Sequence, residues 1–160
     1  MTRIELRTSI RAPRERCFDL ARSVELHLRS TAATGERAIA GRTSGLLGPG
    51  DEVTWRARHF GVWQMLTSRI TAYERPAFFR DSMVRGAFAR LDHDHRFADD
   101  GAGGTLMDDV FDFAAPGGLF GVIVERLVLR RYLRSLLVAR NHAIKEAAES
   151  EAWRRYISLA

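Results

Sequence analysis

Near the start of the chain Ile4, Leu6, Thr8 and Ile10 alternate with Arg3, Glu5, Arg7, Ser9 and Arg11. A period of two predicts a strand with one dry and one wet face. Pro13 then stands where a first helical turn tolerates it, and residues 14–22 are predicted as a short helix burying Cys17, Phe18 and Ala21. A second short helix is predicted over 24–33. From Glu36 the period returns to two, giving strands over 37–41, 52–59, 62–73, 77–84, 88–98 and 105–114. The separators carry turn chemistry: Gly45 to Asp51, Phe60-Gly61, Glu74 to Pro76, Arg85 to Ala87, and the run from Asp99 to Gly104. They are short, so the strands should form an antiparallel meander.

After Pro116 the spacing becomes helical and stays so to about Glu149. Leu129, Tyr132, Leu133, Leu136, Leu137, Ala143, Ile144 and Ala147 share one side of the wheel, with Arg130, Arg131, Arg134, Asn141 and Lys145 on the other. An open sheet must cover its apolar face, and this helix is the one element long enough to do it. The expected architecture is therefore α+β: a seven-stranded antiparallel sheet wrapped around a long C-terminal helix, with two short helices after the first strand. Residues 1–150 should form one domain, followed by a tail over 151–160.

Cross-strand pairing locates the chemistry. If His59 faces Val62 across Phe60-Gly61, then Ala57 faces Gln64, Trp55 faces Leu66 and Val53 faces Ser68, all on the inner side. In the last hairpin, pairing Phe97 with Thr105 puts His95 opposite Met107, His93 opposite Asp109 and Leu91 opposite Phe111. Asp81 on the neighbouring strand falls within a diagonal step of His93. The expected inner wall is thus Trp55, Leu66, Met83, Leu91, Met107, Phe111 and Phe113, faced by Leu133 and Leu136 of the helix. Set into it are five polar groups, His59, Asp81, His93, His95 and Asp109.

Composition and charge narrow the classes. A hydrophobic fraction of 46% and a charged fraction of 28% exclude a disordered chain. Of 25 basic residues only Lys145 is a lysine, and the net charge is +5. There are 17 basic against 16 acidic residues before Gly118, and 8 against 4 after it. The excess belongs to the C-terminal segment, while elsewhere arginines interleave with carboxylates, so nucleic acid is not the expected partner. The basic helix face at Arg126, Arg130, Arg131 and Arg134 reads as a solvated surface, with membrane-surface or partner contact as the lesser alternative. No apolar run approaches the roughly 20 residues that span a bilayer. The N-terminal alternation lacks the core of a signal peptide, and a lone Cys17 on an apolar helix face fits a reducing compartment, so the expected location is cytoplasmic.

The inner polar cluster has several readings. Buried ionisable groups are costly unless paired, so His93 and Asp109 form a satisfied core pair in one of them. In another they orient a guest in an apolar pocket. A third makes His93 a general base steered by Asp109, although no nucleophile motif accompanies them. His-X-His on one strand face, with Asp109 or His59 as a third ligand, resembles a zinc donor set, but any two strand residues separated by one share a face, so no metal is expected. Gly45-Leu-Leu-Gly-Pro-Gly50 matches no phosphate-binding pattern and should be a loop at the cavity mouth.

These residues carry a family resemblance. Ile-Arg-Ala-Pro-Arg-Glu-Arg-Cys-Phe-Asp-Leu (10–20), Arg-His-Phe-Gly (58–61), His-Asp-His-Arg-Phe (93–97) and the 105–116 segment resemble the SRPBCC superfamily of START domains, Bet v 1 allergens and polyketide cyclase/dehydratase-like proteins. The likeness spans residues 3–149. It implies a helix-grip fold enclosing a cavity for lipids, sterols, polyketides or hormones. It brings no catalytic motif, no cofactor, and none of the cysteine and histidine ligands of a Rieske centre. The expectation is a binding module for a small apolar or amphipathic molecule, with a cyclase/dehydratase-like enzyme and a stress-related or chaperone-associated interaction protein as alternatives.

Overall fold

The computed structural model describes residues 1–117 and 128–157. Strand β1 (Thr2–Ile10) is followed by helices α1 (Arg14–Ala21) and α2 (Val24–Ser30), and Ser23 caps α2 by accepting the Leu26 N–H at 3.3 Å. Then come β2 (Arg37–Gly41), β3 (Glu52–His59), β4 (Val62–Glu74), β5 (Phe78–Arg85), β6 (Arg90–Asp99), β7 (Thr105–Ala114) and helix α3 (Arg130–Ala148). One antiparallel sheet of seven strands runs β1-β7-β6-β5-β4-β3-β2, and α3 packs on β1, α1 and α2. The second short helix ends at Ser30, and a 3-10 turn over Ala32–Thr34 takes up the rest of its predicted length. The start of the predicted long helix, with Arg126 of its basic face, lies outside the described residues.

The first hairpin pairs as its sequence pattern requires, with His59 opposite Val62, Trp55 opposite Leu66 and Val53 opposite Ser68. The last one does not. Phe97 pairs with Met107, which sets His95 opposite Asp109, His93 opposite Phe111 and Leu91 opposite Phe113. The turn is tighter than expected because the Asp100 carboxylate accepts the N–H groups of Ala102 and Gly104, at 2.7 and 2.8 Å, and closes the loop on the Asp99–Thr105 pair. A slip of two residues preserves faces, so the inner side chains stay inner while every partner changes. Asp81 stands directly opposite His93.

Two apolar clusters fill the fold. The larger centres on Phe18 of α1, whose ring meets Tyr73, Phe79 and Phe97 edge-on at 5.4 Å each. The smaller joins Ile4, Leu91, Phe111 and Phe113 to Leu137 of α3. Trp153, Tyr156 and Ile157, beyond α3, also pack on the larger cluster, where Arg16 lies over the Trp153 ring. On the outer face, paired ions bridge strands: Arg3 with Asp112, Arg7 with Asp108, and Arg80 with Asp94. The exposed pairs at Arg3 and Arg7 contribute little energy each. Their positions still mark which way the strands face.

Asn141 is not on the wet side of α3. It is buried, and the amphipathic stripe of the helix is wider than the residue types alone suggest. Removing the Phe18 ring should empty the middle of the larger cluster. Phe18→Ala is expected to cost about 3–5 kcal/mol by urea denaturation, whereas a loss under about 1 kcal/mol would contradict this packing.

Candidate functional site

Between the concave sheet face and α3 lies a cavity of about 340 Å³. The strands bring Trp55, Ala57, His59, Gln64, Leu66, Ser68, Phe79, Asp81, Leu91, His93, His95 and Phe111 to its wall, and α3 brings Tyr132, Leu133, Leu136 and Arg140, with Leu129 just before it. Its exposed lining residues, Phe60, Met65, Ala87 and Pro116, lie where the β3–β4 and β5–β6 turns and the chain leaving β7 meet, and they mark the mouth. The opposite end is closed by Ala21 to Val24 and by Leu47. The Gly45–Gly50 segment, expected at the mouth, therefore seals the far end. It is tied there because Val24 donates to the Gly45 carbonyl and Leu47 to the Arg22 carbonyl.

Ten of the fourteen predicted site residues reach the wall: Trp55, His59, Leu66, Asp81, Leu91, His93, His95, Phe111, Leu133 and Leu136. Met83, Met107, Asp109 and Phe113 do not. Met107 is in the larger core cluster, Phe113 in the smaller, and Met83 packs against the smaller one. Strand β7 sits between β1 and β6 in the sheet, and of its inner side chains only Phe111 reaches the cavity, while Met107, Asp109 and Phe113 are covered.

Asp109 lies behind the wall as the centre of a buried polar network. Its Oδ1 is 2.9 Å from His93 Nε2, and its Oδ2 accepts the Asn141 amide N–H at 2.6 Å. Asn141 also donates to Thr8 Oγ1 on β1 at 3.2 Å. Arg140 donates through one Nη to the Ala21 carbonyl, while its Nη1 rests 3.6 Å from Asp109 without a hydrogen bond. Burial alone would raise the Asp109 carboxyl, but the hydrogen bond from His93 and the neighbouring imidazoles hold it well below the usual carboxylate range. His95 Nδ1 is 2.8 Å from the same oxygen but out of line for a hydrogen bond. Burial keeps His95 neutral, and the adjacent His93 and Arg140 add to that effect. His95 stacks on Phe79 at 4.2 Å.

Two lining residues near this network carry an unmet polar atom. Arg140 Nη1 and Asp81 Oδ1 both belong to lining residues, are sealed from bulk solvent, and have no hydrogen-bond partner. Burial pushes the Asp81 carboxyl up and draws the Arg140 guanidinium down. Elsewhere on the wall His59 Nδ1 is 2.8 Å from the Tyr132 hydroxyl, and His27, tilted on Trp55, is 3.0 Å from Glu36. Burial lowers His59 and raises Tyr132, so the hydroxyl keeps its proton and can donate it to the imidazole.

A metal is a poorer match for this cluster. His93, His95 and Asp109 do present three ligand atoms within 4.8 Å of one another. The same Asp109 oxygen has the Arg140 cation beside it, and its contacts to the imidazoles have hydrogen-bond lengths. Tyr132, Arg140, Asn141, His27 and Glu36 did not stand out in the sequence. For Arg140 a signal existed: it is spaced three and four residues from Leu136, Leu137, Ala143 and Ile144, so it had to fall within the apolar stripe. Glu36, before a strand, carried none.

The same arrangement of sheet and helix occurs in solved structures. A protein of Thermus thermophilus superposes with a TM-score of 0.70 at 18% identity, over 92% of this chain and 99% of its own. A START superfamily protein from Mycobacterium smegmatis gives 0.68 at 10%, covering 92% and 97%. This is the helix-grip fold. The major latex-like protein 151 of Panax ginseng, a Bet v 1-like protein, shares it with a TM-score of 0.67 at 15% identity, over 93% and 98%. No family model matches the sequence, and no curated protein does. At such identities the likeness establishes the helix grip and leaves function to the site.

Buried groups with displaced titration tie stability to pH. As pH falls below 6.5 the unfolded chain protonates His95 and His59 while the folded chain resists, so stability drops. Asp109, held low, extends the loss below 3.8, whereas the raised Asp81 carboxyl opposes it by taking its proton earlier in the folded state. Stability is expected to fall between pH 6.5 and about 5 by up to about 1.4 kcal/mol per pH unit for each such histidine. His95→Phe, which keeps a ring against Phe79, should flatten that slope in thermal melts, and an unchanged slope would refute the assignment.

Proposed function

We propose that the protein binds a small hydrophobic or amphipathic molecule in the cavity between sheet and α3, oriented by the polar groups at Arg140 and Asp81. The observation that carries this reading is a mostly apolar hollow of about 340 Å³ whose lining includes the titratable side chains of the buried Arg140 and the half-buried Asp81. That volume lies in the range of small-molecule sites, which combine apolar walls with a few convergent polar groups. Filling the hollow with an apolar body removes its surface from water. Arg140 Nη1 has the Asp109 carboxylate at 3.6 Å but no hydrogen bond, and a guest oxygen that supplies one favours a molecule with one oxygen-bearing end over a pure hydrocarbon. START and Bet v 1-like proteins share the fold, which supports the reading by analogy.

The acid–base alternative rests on a separate observation, that His93 lines the cavity with its Nε2 on a carboxylate. If a reaction occurs, His93→Gln abolishes turnover and leaves guest affinity within about twofold. Equal loss of both makes His93 a binding group.

Titration with 1-anilinonaphthalene-8-sulfonate, followed by displacement with decanoate, tests the binding reading. Saturable one-to-one binding and a rise in melting temperature are expected. Ala57→Phe, which projects a ring into the hollow, should weaken binding at least about tenfold, or 1.4 kcal/mol, while circular dichroism stays native. Binding that is absent, or indifferent to Ala57→Phe, would exclude this cavity as the site.

A further inference from the structure

The surface formed by β3, β4 and much of the terminal helix, which includes the cavity mouth, differs from the rest. From Val53 to Tyr73 and from Val128 to Lys145 the chain contains no aspartate or glutamate, yet it places the exposed Arg56, Arg58, Arg130, Arg131 and Arg134 there. On these same two segments Phe60, Val62, Trp63, Met65, Val128 and Val138 stand out in solvent as exposed large apolar side chains. The segments touch, since the Phe60 ring lies 4.6 Å from Tyr132 and His59 bonds the Tyr132 hydroxyl. Phe60 is 60% exposed at the tip of the β3–β4 hairpin, where its φ of 51° is one that glycine or asparagine adopts at less cost. On the outer face of the sheet, by contrast, Arg3, Arg7 and Arg80 are each neutralised by a carboxylate on a neighbouring strand.

We propose that this end docks on an anionic phospholipid surface, with the hairpin tip and the start of α3 entering the interface and the arginines meeting lipid phosphates and carboxylates. Interfacial binding needs apolar area to insert and cationic charge to attract, and these two segments supply both. The aliphatic Val62, Val128 and Val138 favour lipid over nucleic acid, because they offer bases nothing to stack on. The cavity mouth opens on the same end, so a docked molecule presents its opening to the bilayer. Docking itself does not depend on what the cavity holds.

Co-sedimentation with sonicated vesicles tests the proposal. The protein should pellet with mixed phosphatidylcholine/phosphatidylserine vesicles at low salt, stay in solution with phosphatidylcholine alone, and be released from the mixed vesicles by high salt. The double variant Arg130→Glu, Arg131→Glu should bind at least about tenfold more weakly. Val62→Ser combined with Val128→Ser should lower partitioning several-fold, with melting temperatures showing both variants folded. Failure to pellet with the mixed vesicles at low salt, or pelleting unaffected by either double variant, would overturn it. Tight binding to a duplex oligonucleotide without vesicle binding would overturn it too and give the face to nucleic acid.

Discussion

Asp109 is a carboxylate sealed from solvent, and an unpaired charge there would cost several kcal/mol. Its neighbours are therefore needed as a set. His93 approaches from β6, Asn141 and Arg140 from α3, and Asn141 reaches on to Thr8 of β1. One side chain thereby ties two strands and the terminal helix at a single level of the fold. Losing any one partner strands a buried polar group, which is the costly direction of change.

That tie has a consequence for the shape of the interior. Beyond it, toward the C-terminus, α3 presents Ala143, Ile144, Ala147 and Ala148, small enough for the helix to lie close on the larger cluster. Before it, the helix presents Leu129, Tyr132, Leu133 and Leu136 to open space. The helix is held near the sheet at one end and away from it at the other, and the hollow is the wedge between them. The buried Leu47 and Val24 line one end of the wedge and the exposed Phe60 the other. Arg140 and Asp81 lie along the lining between these limits.

Much of this was legible in the sequence for identifiable reasons. The meander, the order of elements and the inner faces follow from period-two alternation punctuated by glycine and proline, and arginines on the wet faces sharpened the alternation. His93, His95 and Asp81 could be placed because an inward polar residue breaks an otherwise apolar face. The register of the last hairpin was not legible. It depends on Asp100 folding back on two N–H groups, a turn geometry that strand patterns do not encode. Asn141 and Arg140 were misjudged or passed over because polar residues on a helix are presumed wet, and a buried counter-charge on another strand is needed to know otherwise. Met107 and Phe113 share a face with true wall residues. What separates them is the helix lying over β1 and β7, a tertiary fact that periodicity cannot carry.

The most direct measurement is a crystal structure of the protein grown with decanoate. The wedge-shaped cavity and its polar wall require density for the chain along Leu66, Leu133 and Leu136, with the carboxylate within hydrogen-bond distance of Arg140 Nη1 and the helix held by Asp109 as before. A hollow closed by collapse of α3 onto β3 and β4, or decanoate bound only at the surface, would contradict it.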